Sequence, residues 1–386
     1  MAKKSYRVAV IGRTGKGNYG HGLHTVWKDI PNAEVVAVAD DNPSGLAKTA
    51  KLLKAKSAYA DFRKMLETEK LDIVTVATRW IDQHHAMVMA ALEHGCHVYM
   101  EKPFVPTLEQ ADDIVRACEM RHLKLAIAHT NRYSPTRSVL RGLIKRGEIG
   151  DVLEYRARGK EDARRGGGED LWVLGTHMLD LMLSFAQTPG PQTPGVSKTP
   201  GVSSDVTSCS ARVTVKGKPI TKADVYSGNE GIGPLAGDGI NATYTFRNGQ
   251  TGYFASHRGA GGSPSRFGIQ IFGSKGVLEM ISGYNQTAWL LKDPSWSPGR
   301  SGKKWVPVST AGVGKPAPRG GSLHKGNVDA VNDLIQAIEK DRQPISNVYD
   351  ARAATEMIVS IFESQRLGKP VEFPLKNRKN PLTMLG

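Results

Sequence analysis

The sequence predicts a two-domain α/β protein: a doubly wound parallel sheet, followed by an α+β domain with a large, open, mainly antiparallel sheet. Three observations carry this expectation. Short β-rich runs alternate with helical patterns over about the first 128 residues, and a glycine-rich loop follows the first of them. After Asn131-Arg132-Tyr133 the pattern changes to longer runs of alternating polarity joined by turn residues. The expected division is residues 1–128 and residues 129–386, with 186–204 as an exposed loop.

The composition leaves room for two cores: 386 residues, 39% hydrophobic and 23% charged. No apolar run approaches the ~18 residues of a membrane helix. The start, Met1-Ala2-Lys3-Lys4, enters a strand pattern at Tyr6 without a secretory hydrophobic segment. A cytoplasmic protein without a membrane partner is expected. The three cysteines, Cys96, Cys118 and Cys209, are far apart, which argues against a disulfide framework or a cysteine zinc site and for buried thiols. The net charge of +15 is scattered along the chain, with no basic helix or aromatic RNA-binding motif. Nucleic acid is therefore not expected, and the excess charge suits small anionic ligands.

Tyr6–Ile11 reads as the first strand and runs into Gly12-Arg13-Thr14-Gly15-Lys16-Gly17-Asn18-Tyr19-Gly20-His21-Gly22, after which a helix is expected. Glycines let a backbone approach a pyrophosphate, and a helix N-terminus offers free N–H groups to it. Two registers are open. Gly12-x-Thr14-x-x-Gly17 has threonine for the middle glycine, whereas Gly15-x-Gly17-x-x-Gly20 is complete but starts later. The next strand, Val35–Ala39, ends in Asp40, 28 residues after Gly12, where an acid can grip an adenosine ribose and favours NAD over NADP. Asp40-Asp41-Asn42-Pro43 also suits the cap of the following helix. Leu71–Thr78 is a further strand, followed by Arg79-Trp80 and a helix through His84 to Gly95. His97–Met100, a helix from Leu108 to Arg121, and the strand Leu123–Ala128 complete the alternation.

In the second half, Val152–Ala157, Ala242–Phe246 with its turn at Asn248-Gly249, and Ile269–Phe272 read as long antiparallel strands. Thr-Pro-Gly occurs three times, at Thr188, Thr193 and Thr199, and such a segment offers no core. Two amphipathic helices, Asn327–Glu339 and Ala351–Leu367, are expected to cover one face of the second sheet.

The most informative stretch is Glu101-Lys102-Pro103, where the strand His97–Met100 stops. In open α/β sheets ligands bind there. Pro103 restricts the conformation of the residue before it, so Lys102 is held in place and suits acid–base work. With Gly95-x-His97-Val98, Asn131-Arg132-Tyr133-x-Pro135, Gly147-Glu148-Ile149-Gly150, Gly175-Thr176-His177-Met178-Leu179-Asp180 and Gly273-Ser274-Lys275-Gly276, this motif resembles the Gfo/Idh/MocA family over nearly the whole chain. The family is named for glucose-fructose oxidoreductase and inositol dehydrogenase.

That resemblance implies a Rossmann domain, a domain with a large open sheet, an active site in the cleft between them, and NAD(P)-dependent oxidation or reduction of a sugar, cyclitol or related polyol. It also implies a homo-oligomer built through the second sheet. Family members commonly carry Asp-x-x-x-His, in which the aspartate binds substrate while the histidine and the Glu-Lys-Pro lysine handle the proton. Here His177 fits, but Val173 stands at the aspartate position. Valine cannot hydrogen-bond a hydroxyl, so Glu169 and Asp170, after the stretch Arg164-Arg165-Gly166-Gly167-Gly168, become candidates to replace it.

Lys102 and His177 are thus the catalytic candidates. The cofactor candidates are Gly12, Arg13, Thr14, Gly15, Gly17, Asp40, Thr78, Trp80, His84, Glu101 and Lys102. Trp80 serves equally as a stacking or a packing aromatic. The substrate candidates are Arg132, Arg164, Arg165, Glu169, Asp170 and Asp180. Asp180, three residues after His177, fits a helix-internal structural acid as well. No His-Glu-x-x-His or comparable grouping suggests a metal. Two other functions compete: glycoside cleavage through transient oxidation by retained NAD, and a non-catalytic ligand-binding member of the fold.

Overall fold

A computed structural model describes residues 4–189, 205–283, 286–316 and 322–386. The chain forms two compact units. The first comprises Met1–Thr130, Asn229–Gly233 and Leu323–Thr355, and the second Asn131–Gly228, Pro234–Ser322 and Glu356–Gly386.

The first unit holds a six-stranded parallel sheet: β1 (Tyr6–Ile11), β2 (Ala33–Ala39), β3 (Ser57–Tyr59), β4 (Ile73–Val76), β5 (His97–Met100) and β6 (Leu125–Ile127), in the order β3-β2-β1-β4-β5-β6. Apart from the edge strand β3, the strands are largely buried on both faces, which is why most of them read as apolar runs rich in Val, Ile and Ala. Helices α1 (Pro43–Leu53), α2 (Phe62–Thr68), α3 (His84–Glu93) and α4 (Leu108–Met120) connect them. Asn42, Asp61 and Thr107 cap α1, α2 and α4 by accepting backbone N–H bonds. Strand order reverses between β1 and β4, so the carboxyl ends of these two strands form the switch point at which such sheets bind ligands.

One expected element is missing. No α-helix follows the glycine loop; Gly20–Gly22 and Val26–Asp29 form short 3-10 turns instead. Gly22 and His21 have positive φ, which breaks a helix before it can propagate. Trp27 anchors this segment, its Nε1 donating to Thr75 Oγ1 at 2.9 Å inside the core.

The second unit is built on an eleven-stranded mixed sheet. Its principal strands are β7 (Val152–Arg158), β8 (Val206–Val215), β9 (Gly239–Phe246), β10 (Thr251–His257), β11 (Gly268–Gly273), β12 (Gly276–Ile281), β13 (Thr287–Leu291) and β14 (Val306–Ser309), in the order β14-β13-β12-β11-β7-β10-β9-β8. All neighbours pair antiparallel except β7 and β10. The β9–β10 hairpin turns at Asn248-Gly249 as expected, with Gly249 at φ 83°. Helices α5 (Pro135–Lys145) and α6 (Thr176–Ala186) belong to the same unit.

The closing helices, α7 (Leu323–Glu339) and α8 (Val348–Leu367), depart from the expected division. α7 and the first residues of α8 pack on the first unit's sheet and not on the second. Tyr99 Oη of β5 donates to Asn327 Oδ1 at 2.9 Å, Ile127 N–H donates to Ser346 O at 3.1 Å, and Val348 and Ala351 join the core around β5 and β6. Only the later part of α8 lies on the second sheet, where Tyr244 Oη donates to Met357 O at 2.9 Å. An amphipathic period shows that a helix buries one face, but it carries no record of which sheet receives that face.

The Thr-Pro-Gly loop expected over 186–204 falls outside the described residues from 190 onward. Its start is not exposed: Ala186 and Thr188 are buried, and Arg141 Nε donates to Thr188 Oγ1 at 2.8 Å. Among the described residues, no helix is long and apolar enough to cross a membrane.

Candidate active site

In the first unit, several candidates gather at the carboxyl ends of β1, β4 and β5. Arg13 to Asn18 closes as a small hairpin, with Lys16 and Asn18 N–H donating to Arg13 O, both at 2.9 Å. Gly15 and Gly17 take φ of 85° and 89°. A side chain at Gly17 would strike the Trp80 backbone nitrogen at 2.5 Å, whereas a Cβ at Gly15 would meet open space. The loop thus lies flat on the segment after β4, and Lys16 O accepts from Thr78 Oγ1 at 2.9 Å. Trp80, half-buried, packs against Gly17.

Lys102 follows β5 and is 4% exposed, with Glu101 wholly buried beside it. Glu101 Oε2 accepts the Lys102 backbone N–H at 2.6 Å, and its other oxygen meets His21 Nδ1. Burial works against the Glu101 charge, but His21, Lys102 and the Lys102 N–H outweigh it and hold the carboxyl below its usual range.

Four cofactor candidates are engaged differently from the expectation. Asp40 is 2% exposed and accepts Thr14 N–H at 3.0 Å, Thr14 Oγ1–H at 2.7 Å and Asn42 N–H at 3.0 Å. A ribose hydroxyl there would have to replace Thr14. Arg13 is paired with Asp82 at 2.9 Å, which neutralises the cation. His84 is fully buried: Nδ1 faces Pro103 O at 2.9 Å and Nε2 faces Thr78 O at 2.8 Å. It ties the turn after β5 to the end of β4 and is a support for the site, not a contact surface.

In the second unit, His177 is half-buried near the start of α6. Leu171–Gly175, just before it, is a π-turn that contains the buried Val173. A π-turn closes i→i+5 rings, so it holds one more residue than an α-turn and shifts the i, i+4 alignment of Val173 with His177.

The proposed substrate shell is largely internal. Arg132 and Asp180 are 2% and 0% exposed and bond one another, Arg132 Nε lying 2.8 and 2.9 Å from the two Asp180 oxygens. Asp170 is fully buried: Oδ2 accepts Ser256 Oγ–H at 2.6 Å and the Glu161 N–H at 3.1 Å. Desolvation raises its pKa against the lowering effect of those bonds. Arg165 pairs with Asp162 at 2.7 Å, Arg164 is exposed, and Glu169 is buried. Burial overrides the expectation for Arg132 and Asp180, which enclose one another, whereas Asp170, though buried, has only Oδ2 engaged and its Oδ1 has no hydrogen-bond partner. Sequence analysis also missed His21, Asp82 and Asn327, which have no motif spacing; His21, flanked by Gly20 and Gly22, carried the one available signal. Among the described residues, no group of three or more His, Cys, Asp or Glu side chains could hold a metal ion.

Comparison with known proteins bears on the whole arrangement. Residues 6–129 match the oxidoreductase family with an NAD-binding Rossmann fold, and residues 141–373 match the C-terminal alpha/beta domain of the same family. A D-apiose dehydrogenase from Paraburkholderia graminis is 32% identical over 147 residues, 38% of either chain. A glycosyl hydrolase family 109 protein from Shewanella amazonensis is 26% identical over 187 residues, 43% of this chain and 40% of the relative. The matched stretches thus span about two fifths of these relatives. Among solved structures, a levoglucosan dehydrogenase in complex with NADH and levoglucosan superposes with a TM-score of 0.74 at 19% identity, covering 96% of this chain and 100% of that one. A scyllo-inositol dehydrogenase from Lactobacillus casei gives 0.67 at 17% identity, covering 96% and 99%.

Proposed function

Since the chain belongs to the Gfo/Idh/MocA oxidoreductase family and carries its NAD-binding Rossmann domain, we propose that it is an NAD-dependent dehydrogenase of a sugar or polyol hydroxyl. The observation that carries this is Lys102, buried at the end of β5 beside an ionised Glu101, on the edge of the sheet where the glycine loop lies. The residues at this edge suit a dinucleotide: glycines at positive φ, open space at Gly15 and an exposed Lys16. NAD supplies the hydride acceptor. Lys102 takes the hydroxyl proton as the hydride leaves, and His177 is the acid–base candidate of the second unit. With Val173 in place of a carboxylate, Glu169, Asp170 through its unpartnered Oδ1, and the exposed Arg164 are the groups to test for hydroxyl binding. The relatives named for a sugar dehydrogenase support this substrate class.

The proposal includes self-association through the second unit's sheet, and a groove of about 700 Å³ there, lined by Arg156, Arg158, Arg212, Tyr253 and Arg266, is the place to probe it. Light scattering of Tyr253→Glu tests it, and an unchanged mass in a species already larger than one chain would refute it.

The main test is NADH absorbance over a panel of sugars and polyols, repeated with Lys102→Ala and His177→Ala. Each variant should lose about 10²- to 10⁴-fold in kcat with NAD affinity nearly unchanged. The glycosyl hydrolase family 109 relatives favour a second reading, transient oxidation during glycoside cleavage. That cycle would release sugar from an aryl glycoside without accumulating NADH. Near-parental kcat in Lys102→Ala on a verified substrate would overturn both.

A further inference from the structure

A dinucleotide-binding turn ordinarily holds the diphosphate with the N–H groups of its glycine loop and the positive end of the helix that follows. Here the first are engaged and the second is missing. The N–H groups of Arg13, Thr14, Gly15, Lys16, Asn18 and Gly20 all donate inside the protein: Arg13 to Asn18 O, Thr14 to Asp40, Gly15 to Asn18 Oδ1, Lys16 and Asn18 to Arg13 O, and Gly20 to Ala77 O. The helix is blocked at His21, which sits at φ 45° and ψ 23°. An α-helix would pair the His21 carbonyl with the Thr25 N–H. Instead that carbonyl accepts Asn327 Nδ2–H at 3.0 Å from α7, and the Thr25 N–H donates to Gly22 O at 3.0 Å.

The glycines seat a cation on the loop. A Cβ at Gly17 would sit 2.8 Å from Arg79 N, and a Cβ at Gly20 would sit 2.5 Å from Arg79 Cγ. The Arg79 N–H donates to Gly17 O at 3.5 Å. The stem of Arg79 therefore lies against Gly20, and the guanidinium, a few bonds beyond Cγ, is held beside the loop. Arg79 is half-buried, and among the described residues no carboxylate pairs with it. The acids around it are engaged: Asp82 by Arg13 at 2.9 Å, Asp40 by Thr14 at 2.7 Å, and Glu101 by His21 and the Lys102 N–H. We propose that Arg79 binds the diphosphate of the dinucleotide, supplying by a side-chain charge what loop amides and a helix end supply elsewhere. A guanidinium presents parallel N–H donors that match phosphate oxygens, and it stays charged at any working pH. Lys16, exposed on the same loop, adds to the positive potential there. The proposal rests on the reading of this edge as the NAD site.

ADP-ribose, which carries the diphosphate without the nicotinamide, is the probe, and no turnover is needed. In calorimetric titration Arg79→Gln should weaken it about 10- to 100-fold, the loss expected for hydrogen bonds between charged groups. Adenosine, followed by ligand-observed NMR, should bind parent and variant alike. Equal ADP-ribose affinity in the two proteins would overturn the proposal. So would an equal loss for adenosine, which would make Arg79 a support for the loop. A loss seen with NADP but not with NAD would also overturn it and place the cation at a 2′-phosphate. Should Arg79→Gln fail to fold, the parent answers instead: ADP-ribose, and not adenosine, should shield Arg79 from phenylglyoxal in peptide mass spectrometry, and an unchanged rate of modification would refute the contact. A parent that does not bind ADP-ribose would overturn this proposal and the NAD-dependent reading together. A parent that reduces NAD while Arg79→Gln binds ADP-ribose normally would overturn this proposal alone, and a failed substrate screen leaves Arg79 decided.

Discussion

Replacing Asp180 with asparagine separates a substrate ligand from a structural acid. The substitution keeps the shape and removes the charge, so Arg132 remains buried at 2% exposure without its counter-ion. Removing one partner of a buried ion pair costs about 3–5 kcal/mol. For a unit of this size each kcal/mol lowers Tm by about 2–4 °C, so a fall of about 6–20 °C is expected in calorimetry at neutral pH. The pair is further fixed by Arg132 O, which accepts from Arg137 Nη1 at 2.7 Å, so relaxation has little room. Arg132→Met with Asp180→Leu should recover most of the loss, because an apolar pair of similar volume needs no counter-charge. Lys64→Gln, which breaks an exposed pair with Glu67, serves as the control and should melt with the parent. If Asp180→Asn melts with the parent and raises KM on a verified substrate, the pair is functional and the structural assignment is refuted.

Three further expectations follow from the same geometry. Burial raises the folded pKa of Asp170 above its ordinary 3.8, so the unfolded chain releases this proton first and stability falls as pH rises above that value; Asp170→Asn should flatten Tm against pH just above 3.8, and an unchanged slope would refute it. Trp27→Phe leaves the buried Thr75 hydroxyl without its indole donor and should cost about 1–3 kcal/mol in urea unfolding, most of it recovered by adding Thr75→Val; no loss would mean that the bond is not formed in solution. Calorimetric titration should show NAD binding about tenfold or more tighter than NADP, since a 2′-phosphate near Asp40 meets like charge, and equal affinity would place the adenosine ribose elsewhere.

The sequence by itself determined the layers of both units and the residues at the strand ends. Most of the parallel strands declared themselves because burial on both faces demands apolar runs rich in Val, Ile and Ala, and Lys102 because proline follows it at the end of such a strand. The antiparallel strands were legible from their period-two alternation and from Asn248-Gly249. What a side chain touches is a different kind of fact, set by residues far away in the chain. Asp40, Arg13 and His84 carried the right chemistry at the right spacing, yet the fold commits them to Thr14, Asp82 and the backbone at Thr78 and Pro103. Arg132 and Asp180, 48 positions apart, meet only once α6 is in place. The most consequential case is α7: an amphipathic helix near the end of the chain returns to the first sheet, and through Asn327 it holds His21 beside Glu101. Local pattern records that a surface must be buried, and only tertiary packing decides against what.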